Sequence, residues 1–308
     1  MASFSAATKQ ELCTVPVTKT CCAVAEAYGL MLFASQFSEM EIRIVTSLEE
    51  LAGRIPPLLI KAFGVPVGAP ELGRGGRMTF RLTEPTQLER IFGALGYDCS
   101  RSVSCHLHQN IVEEDCCRAS FLRGAFLASG TVASPDKKTH LEMATPHRIL
   151  SREVMSLMLD MAMQPKMGTR KSLALLYFKD TECVEDFLTL IGAPKAAMAM
   201  MQGKVEKQLR NHVNRAVNCE TANLIKASNA AAKQIVVIRQ ALEKYGWDVF
   251  PEATQETVRL RLDNPDSSLS ELAAKFDPPI SKPGLSHRLR RVVEIANTAV
   301  SQTKEENV

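Results

Sequence analysis

The chain has 308 residues, of which 45% are hydrophobic and 23% charged, and a net charge of only +3. This is the composition of a globular chain of about two domains, on a prior of roughly 100–200 residues each. No run approaches the ~20 apolar residues of a membrane span, so no membrane association is expected. The first residues, MASFSAATKQELC, lack a basic start followed by an apolar run, so no signal peptide is expected and the cytoplasm is the expected compartment. Nine cysteines, an odd number with two adjacent pairs, make a poor disulfide framework. They read as small buried hydrophobes or free thiols.

Residues 1–20 are read as an N-terminal segment without an assigned element. A doubled segment follows. Residues 21–37 are CCAVAEAYGLMLFASQF and residues 116–132 are CCRASFLRGAFLASGTV. In both, a Cys-Cys pair ends seven residues ahead of a glycine, Gly29 or Gly124, and a small-residue pair follows it (Ala34-Ser35, Ser129-Gly130). Such self-similarity signals two related half-domains. The companions agree. EMEIRIVT is a strand with alternating Ile42 and Ile44, and a capping-box start at Ser47–Glu50 opens a helix to Phe63. RMTFRL (77–82) leads into PTQLERIFGALG (85–96). In the second half, THLEMAT (139–145) precedes a helix over 147–163, and LALLYF (173–178) leads into TECVEDFLTLIG (181–192). Gly96 and Gly192 stop their helices alike. The halves, 21–100 and 116–197, form a duplicated domain over 21–203 with four strands each and helices on one face, an α+β arrangement.

Cys99, Cys105, His106, His108, Cys116 and Cys117 crowd the stretch that joins the halves. Their spacing is irregular, unlike the short regular pairs of zinc sites, so neither metal nor cofactor is expected. Cys21, Cys22, Cys116 and Cys117 stand at the starts of the repeat helices, where a thiol pKa can fall, but buried packing is the expected role. Met155, Met158, Met161 and Met163 read as core filler. Arg123 is expected near solvent, and Arg170 and Lys171 precede a strand. Residues 1–203 hold 21 basic and 21 acidic residues, which weakens the case for strong phosphate binding by this part.

Residues 204–250 read as a helical linker with a break near Ala227, Ser228 and Asn229. Val205, Leu209, Val213 and Ala216 recur at helical spacing, as do Ile235, Ile238 and Leu242. Arg210, Asn211, Asn214, Arg215 and Asn218 form a polar stripe that contacts DNA phosphates, docks one domain on the other, or is merely solvated. Residues 251–301 read as three helices, with 302–308 a tail. Ser268 to Glu271 is a capping box that opens SLSELAAKF; Asp277-Pro-Pro-Ile280 ends that helix; Ser281 caps the next. The last two helices make a helix-turn-helix. Leu285, Leu289, Val292 and Ala296 face inward, and residues 278–293 carry Lys282, Arg288, Arg290 and Arg291 with no acid. Together with Ser281, Ser286 and His287, these are the candidate DNA-binding residues, because arginine grips phosphates or reads guanine edges.

The repeated helix with a crossing glycine, followed by strand hairpins, resembles the LAGLIDADG homing-endonuclease fold. Two such halves followed by a helix-turn-helix resemble the WhiA family of bacterial transcription regulators, most specifically in RASFLRGAFLASGTV (118–132), RNHVNRAVNCETANL (210–224), SLSELAAKF (268–276) and ISKPGLSHRLRRV (280–292). The resemblance implies a pseudo-two-fold duplicated αββαββα domain followed by an all-α domain. It implies a DNA-binding regulator in cell division and chromosome segregation (sporulation in actinobacteria), associated with the nucleoid and sometimes with a WhiB-like iron–sulfur partner. In the nuclease motif a metal-binding acid lies five residues after the packing glycine. Here those positions are Ala34 and Ser129, neither of which supplies the charged oxygen that a divalent ion requires. No enzymatic activity is therefore expected. The rivals are an active endonuclease of this type and an interaction scaffold with an incidental basic helix.

Overall fold

A computed structural model describes residues 3–97 and 105–305, which fall into two compact units, 1–209 and 210–308. The first begins with a helix not anticipated from the sequence, α1 (Phe4–Cys13), capped by the Ser3 hydroxyl and burying Thr8 and Leu12. Its polar residues tie down other termini. The Lys9 ammonium donates to Leu127 O at the end of a later helix (3.0 Å), and burial lowers its pKa to about 8.

The first half continues with α2 (Thr20–Leu32), β1 (Gln36–Ser38), β2 (Glu41–Thr46), α3 (Glu49–Phe63), β3 (Glu71–Leu72), β4 (Met78–Leu82) and α4 (Pro85–Leu95). The second repeats the order: α5 (Asp115–Ser129), β5 (Thr131–Val132), β6 (Leu141–Thr145), α6 (Arg148–Asp160), β7 (Lys166–Arg170), β8 (Leu173–Phe178) and α7 (Thr181–Ile191). Each half forms an antiparallel sheet of four strands, in the matching orders β1-β2-β4-β3 and β5-β6-β8-β7. Alternation along β2 puts Ile42, Ile44 and Thr46 inward and leaves Glu41, Arg43 and Val45 on the other face. The capping box expected at Ser47 does not form. Leu48 is the N-cap, and its amide is held by the Thr46 hydroxyl (3.0 Å).

The duplicated helices α2 and α5 cross in contact at their glycines. A Cβ on Gly124 would lie 2.0 Å from Glu26 O, and one on Gly29 would lie 2.1 Å from Phe121 O. The two backbones touch where no side chain fits. Around this crossing sits the core of the first unit, with Tyr28, Phe92, Phe121, Phe126 and Phe187 fully buried. Met158 is also fully buried, and Met155, Met161 and Met163 pack against the core as expected.

The helix α8 (Pro194–Tyr245) starts in the first unit. Its amides at Lys195 and Ala196 are capped by the Glu11 carboxylate (2.7 and 3.0 Å). The expected break near Ala227, Ser228 and Asn229 is absent: α8 runs through them, with no proline or glycine to stop it and Ala230–232 sustaining it. Val205, Leu209 and Val213, which recur at helical spacing, are largely exposed. In the second unit, Ile238 and Ala241 of α8 form a core with Phe250, Val258, Val292 and Ala296. The residues expected to be a linker thus supply part of this core. The remaining helices are α9 (Glu252–Asp263), α10 (Leu269–Ala274) and α11 (Lys282–Glu305).

Candidate nucleic-acid interface

The second unit builds a helix-turn-helix from local signals. Ser268 and Glu271 cap α10 reciprocally, the Ser268 amide donating to the Glu271 carboxylate (2.8 Å) and the Glu271 amide to the Ser268 hydroxyl (3.3 Å). The chain turns at Pro278 and Pro279 and is fastened by Ile280 N donating to Ala273 O (3.1 Å). The Ser281 hydroxyl accepts from Gly284 N (3.2 Å) at the start of α11. One face of α11 is divided between two cores. Leu285 and Leu289 join Leu272, Ala273 and Phe276 of the turn, while Val292 and Ala296 join α8 and α9.

Packing these four positions inward fixes what the opposite face presents. Ser281, Lys282, His287, Arg288, Arg290 and Arg291 are exposed, and Ser286 is half-buried. Arg288 lies over the Phe276 ring, 5.5 Å from its centroid, which orders a long side chain at the surface. Behind them Arg261 of α9 is buried and donates to Ser267 O (2.9 Å). Burial lowers its pKa, and the bond holds the connection leading into α10. On α8, Arg210, Asn211, Asn214, Arg215 and Asn218 are all exposed.

The crossing helices of the first unit end where a LAGLIDADG-type nuclease would place its metal-binding acids. Ala34 sits half-buried just past α2, with its amide on Met31 O. Ser129 closes α5, and its hydroxyl accepts from Ala144 N (3.3 Å), pinning β6 to the helix end. Neither offers a charged oxygen, so these residues do not fit a divalent ion.

Arg123 is not near solvent. It is buried beside Glu26, which is fully enclosed in α2. Arg123 Nε reaches Glu26 Oε2 (2.8 Å) and its other nitrogens donate to Ile191 O and Ser120 Oγ, both at 3.0 Å. Arg54 of α3 grips the same carboxylate from the other side (2.6 and 3.0 Å) and donates to Cys13 O and Val15 O. This Arg–Glu–Arg unit was not read from the sequence, although one acid within apolar AVAEAYGL was its signal. Arg170 is likewise engaged, its guanidinium 2.8 Å from the Glu142 carboxylate.

The joining stretch has a packing role. The buried Tyr28 hydroxyl donates to His106 O, accepts from His108 N (3.2 Å) and lies 3.0 Å from the Tyr97 hydroxyl, whose pKa is pushed up to about 12 by burial. His106 Nδ1 is 2.9 Å from Glu153. Cys99 lies outside the described residues. Cys105, His106 and His108 do not join a ligand cluster with Cys116 and Cys117; those two meet Cys21 and Cys22 instead. Missed as well were Arg43, Arg77 and Arg81, which gather on the outer face of the first sheet with Ser35, Thr79 and Glu71. Period-2 alternation in their strands would have found Arg43 and Arg81.

Two family models match the chain, the WhiA LAGLIDADG-like domain over residues 118–210 and the WhiA C-terminal HTH domain over residues 213–296. Proteins called "Probable cell division protein WhiA" are similar along nearly the whole length. That of Carboxydothermus hydrogenoformans is 37% identical over 96% of this chain and 97% of its own, and that of Ruminiclostridium cellulolyticum is 36% identical over 96% and 97%. The chain belongs to the WhiA family. The crystal structure of full-length DUF199/WhiA from Thermatoga maritima shares the fold, with a TM-score of 0.59 at 23% identity over 96% of this chain and 99% of that one. An N-terminal LAGLIDADG domain of DUF199/WhiA matches 62% of this chain with a TM-score of 0.51 at 18% identity, covering 91% of that chain. This WhiA-family chain therefore combines an α+β LAGLIDADG-like domain lacking both acids with an all-helical HTH domain. No described helix is long and apolar enough to cross a membrane.

Proposed function

We propose that the chain is a sequence-specific, double-stranded-DNA-binding transcription regulator that acts in cell division and chromosome segregation, and that its LAGLIDADG-like domain does no chemistry. The observation that carries this reading is the α11 surface. Packing of Leu285, Leu289, Val292 and Ala296 leaves Lys282, Arg288, Arg290 and Arg291 outward with no acid among them. In a helix-turn-helix the second helix enters the major groove. Ser281, Ser286 and His287 contribute hydrogen bonds beside them. Arg210, Asn211, Asn214, Arg215 and Asn218 supply secondary DNA or interdomain contacts. The relatives' name supports the cell-division role, and a cytoplasmic, nucleoid-associated location with a WhiB-like iron–sulfur regulator as partner completes the reading. The absence of a carboxylate at Ala34 and Ser129 supports a regulator over an enzyme.

The test is a genome-wide map of bound DNA, followed by anisotropy titrations of the recovered site with full-length protein. Arg288→Ala with Arg291→Ala is expected to weaken binding by at least about tenfold, each base-reading arginine contributing ~1–3 kcal/mol. Unchanged affinity would remove α11 as the reading element. Cleavage of that site with Mg²⁺, abolished by Ser129→Ala, would establish the endonuclease reading instead.

A further inference from the structure

The α2–α5 crossing brings together four thiols that lie 95 residues apart in two pairs. The Sγ atoms of Cys21, Cys22, Cys116 and Cys117 all lie within 4.8 Å of one another. All four are free. Each pair occupies the first turn of its helix, at the same distance from the crossing glycine, so the pseudo-two-fold that matches the halves also matches the pairs. Cys117 is buried, Cys22 and Cys116 are half-buried, and Cys21 is exposed, leaving a path from solvent.

We infer that Cys21, Cys22, Cys116 and Cys117 form a tetrathiolate site for one soft divalent ion of the zinc class, clipping the two halves together. Magnitudes favour a single ion. Four sulfurs at ~2.3 Å from zinc stand about 3.8 Å apart in a tetrahedron, so an inward movement of about an ångström completes the shell. An iron–sulfur cluster interposes further iron and sulfide atoms and holds its thiolates farther apart. Binding displaces the thiol protons to solvent, and soft thiolates select zinc over magnesium or calcium. Four thiolates around a divalent ion carry a net charge of −2. Two helix N-termini, each worth about half a positive charge, together with Lys19 at the N-cap of α2, offset it. The Ser120 hydroxyl donates to Cys116 O (2.7 Å) and helps hold this end of α5, while the Cys22 thiol gives up its bond to the same carbonyl (3.7 Å) when it is deprotonated. Twelve residues of rise, about 18 Å, separate Cys22 from Ala34, so the site stands at the opposite helix end from the vacated nuclease position.

Full-length protein, reduced and stripped of metal, is titrated with Co²⁺ alone and then with Zn²⁺. The expected result is one Co²⁺ per chain, an intense sulfur-to-cobalt charge-transfer absorption, tetrahedral ligand-field bands, and displacement by one Zn²⁺. Cys22→Ser with Cys116→Ser abolishes the absorption. Cys21→Ser, at an exposed position that the fold tolerates, lowers its intensity, and Cys219→Ser, on exposed α8, leaves it unchanged. Folded, reduced protein that takes up neither ion would overturn the site. So would uptake indifferent to Cys21→Ser and to the double variant, or protein isolated without reductant that carries interhelix disulfides and no zinc.

Discussion

Replacing one crossing glycine, Gly124→Ala, isolates the contact on which the duplicated domain is built. The added Cβ would stand 2.0 Å from Glu26 O and 2.9 Å from Glu26 C and Leu30 N, all backbone atoms that no rotamer change can move. Ordinary contact begins near 3.4 Å, so α2 and α5 must separate by more than an ångström. A gap of ~0.5–1 Å already forfeits a quarter to a half of the dispersion energy between facing atoms. Overpacking of this kind costs ~3 kcal/mol at the upper end of its usual range, against about 1 kcal/mol returned by alanine's better helix propensity. The expected net loss is about 2 kcal/mol or more. Gly53→Ala is the internal control. Gly53 is an exposed position in α3 whose added Cβ meets nothing within 4 Å, so the same substitution is expected to stabilise by ~0.5–1 kcal/mol. Urea unfolding followed by far-ultraviolet circular dichroism reads both as midpoint shifts of opposite sign. Equal stability of Gly124→Ala and the parent would refute the close-contact crossing.

Arg123→Met tests the buried ion unit. Breaking a buried pair costs ~3–5 kcal/mol, and the low end is expected because Arg54 still holds both oxygens of Glu26; a thermal melt no lower than the parent's would contradict this. Burial works against the charged form of Glu142, but its bonds to His140 and Arg170 outweigh that and hold its pKa below the ordinary value. Its contribution to stability is therefore present above the ordinary carboxylate range and lost as pH falls through the lowered pKa. Glu142→Gln is expected to flatten the acid limb of a stability–pH curve and to leave the neutral limb with the parent's shape. If Arg288 and Arg291 each neutralise a phosphate, removing both lowers the slope of log affinity against log salt by about 2, measurable by anisotropy from low to moderate salt; an unchanged slope would place them off the backbone.

Elements governed by neighbours along the chain were legible without coordinates. The strands β2, β4, β6 and β8 follow their runs of alternating or continuous apolar residues, and Gly96 and Gly192 take the left-handed conformation that ends α4 and α7. The capping box at Ser268 and the four inward positions of α11 stand as read. Errors arose where partners are distant. The helix α1 is held by Leu12 in the core and by Lys9 reaching a residue 118 positions away. Arg123 looked like a surface residue because its partner, Glu26, is 97 positions away. The break expected in α8 falls on Ser228 and Asn229, weak helix formers that three alanines and the rest of a 52-residue helix override.

The repeat at residues 21–37 and 116–132 by itself determined the duplicated architecture, the crossing glycines and the loss of the nuclease acids. Spacing and residue identity suffice for these, since a missing carboxylate is missing in any conformation. The basic character of α11 was equally a property of the chain. Tertiary structure decided which charges are free and which thiols meet. Arg54 and Arg123 share the Glu26 carboxylate inside the crossing, whereas the cations of α11 face outward because their helix spends its apolar face on two cores. Cys21, Cys22, Cys116 and Cys117, which looked like packing residues one pair at a time, become one cluster because the two helices meet at glycine, and only glycine lets them approach so closely.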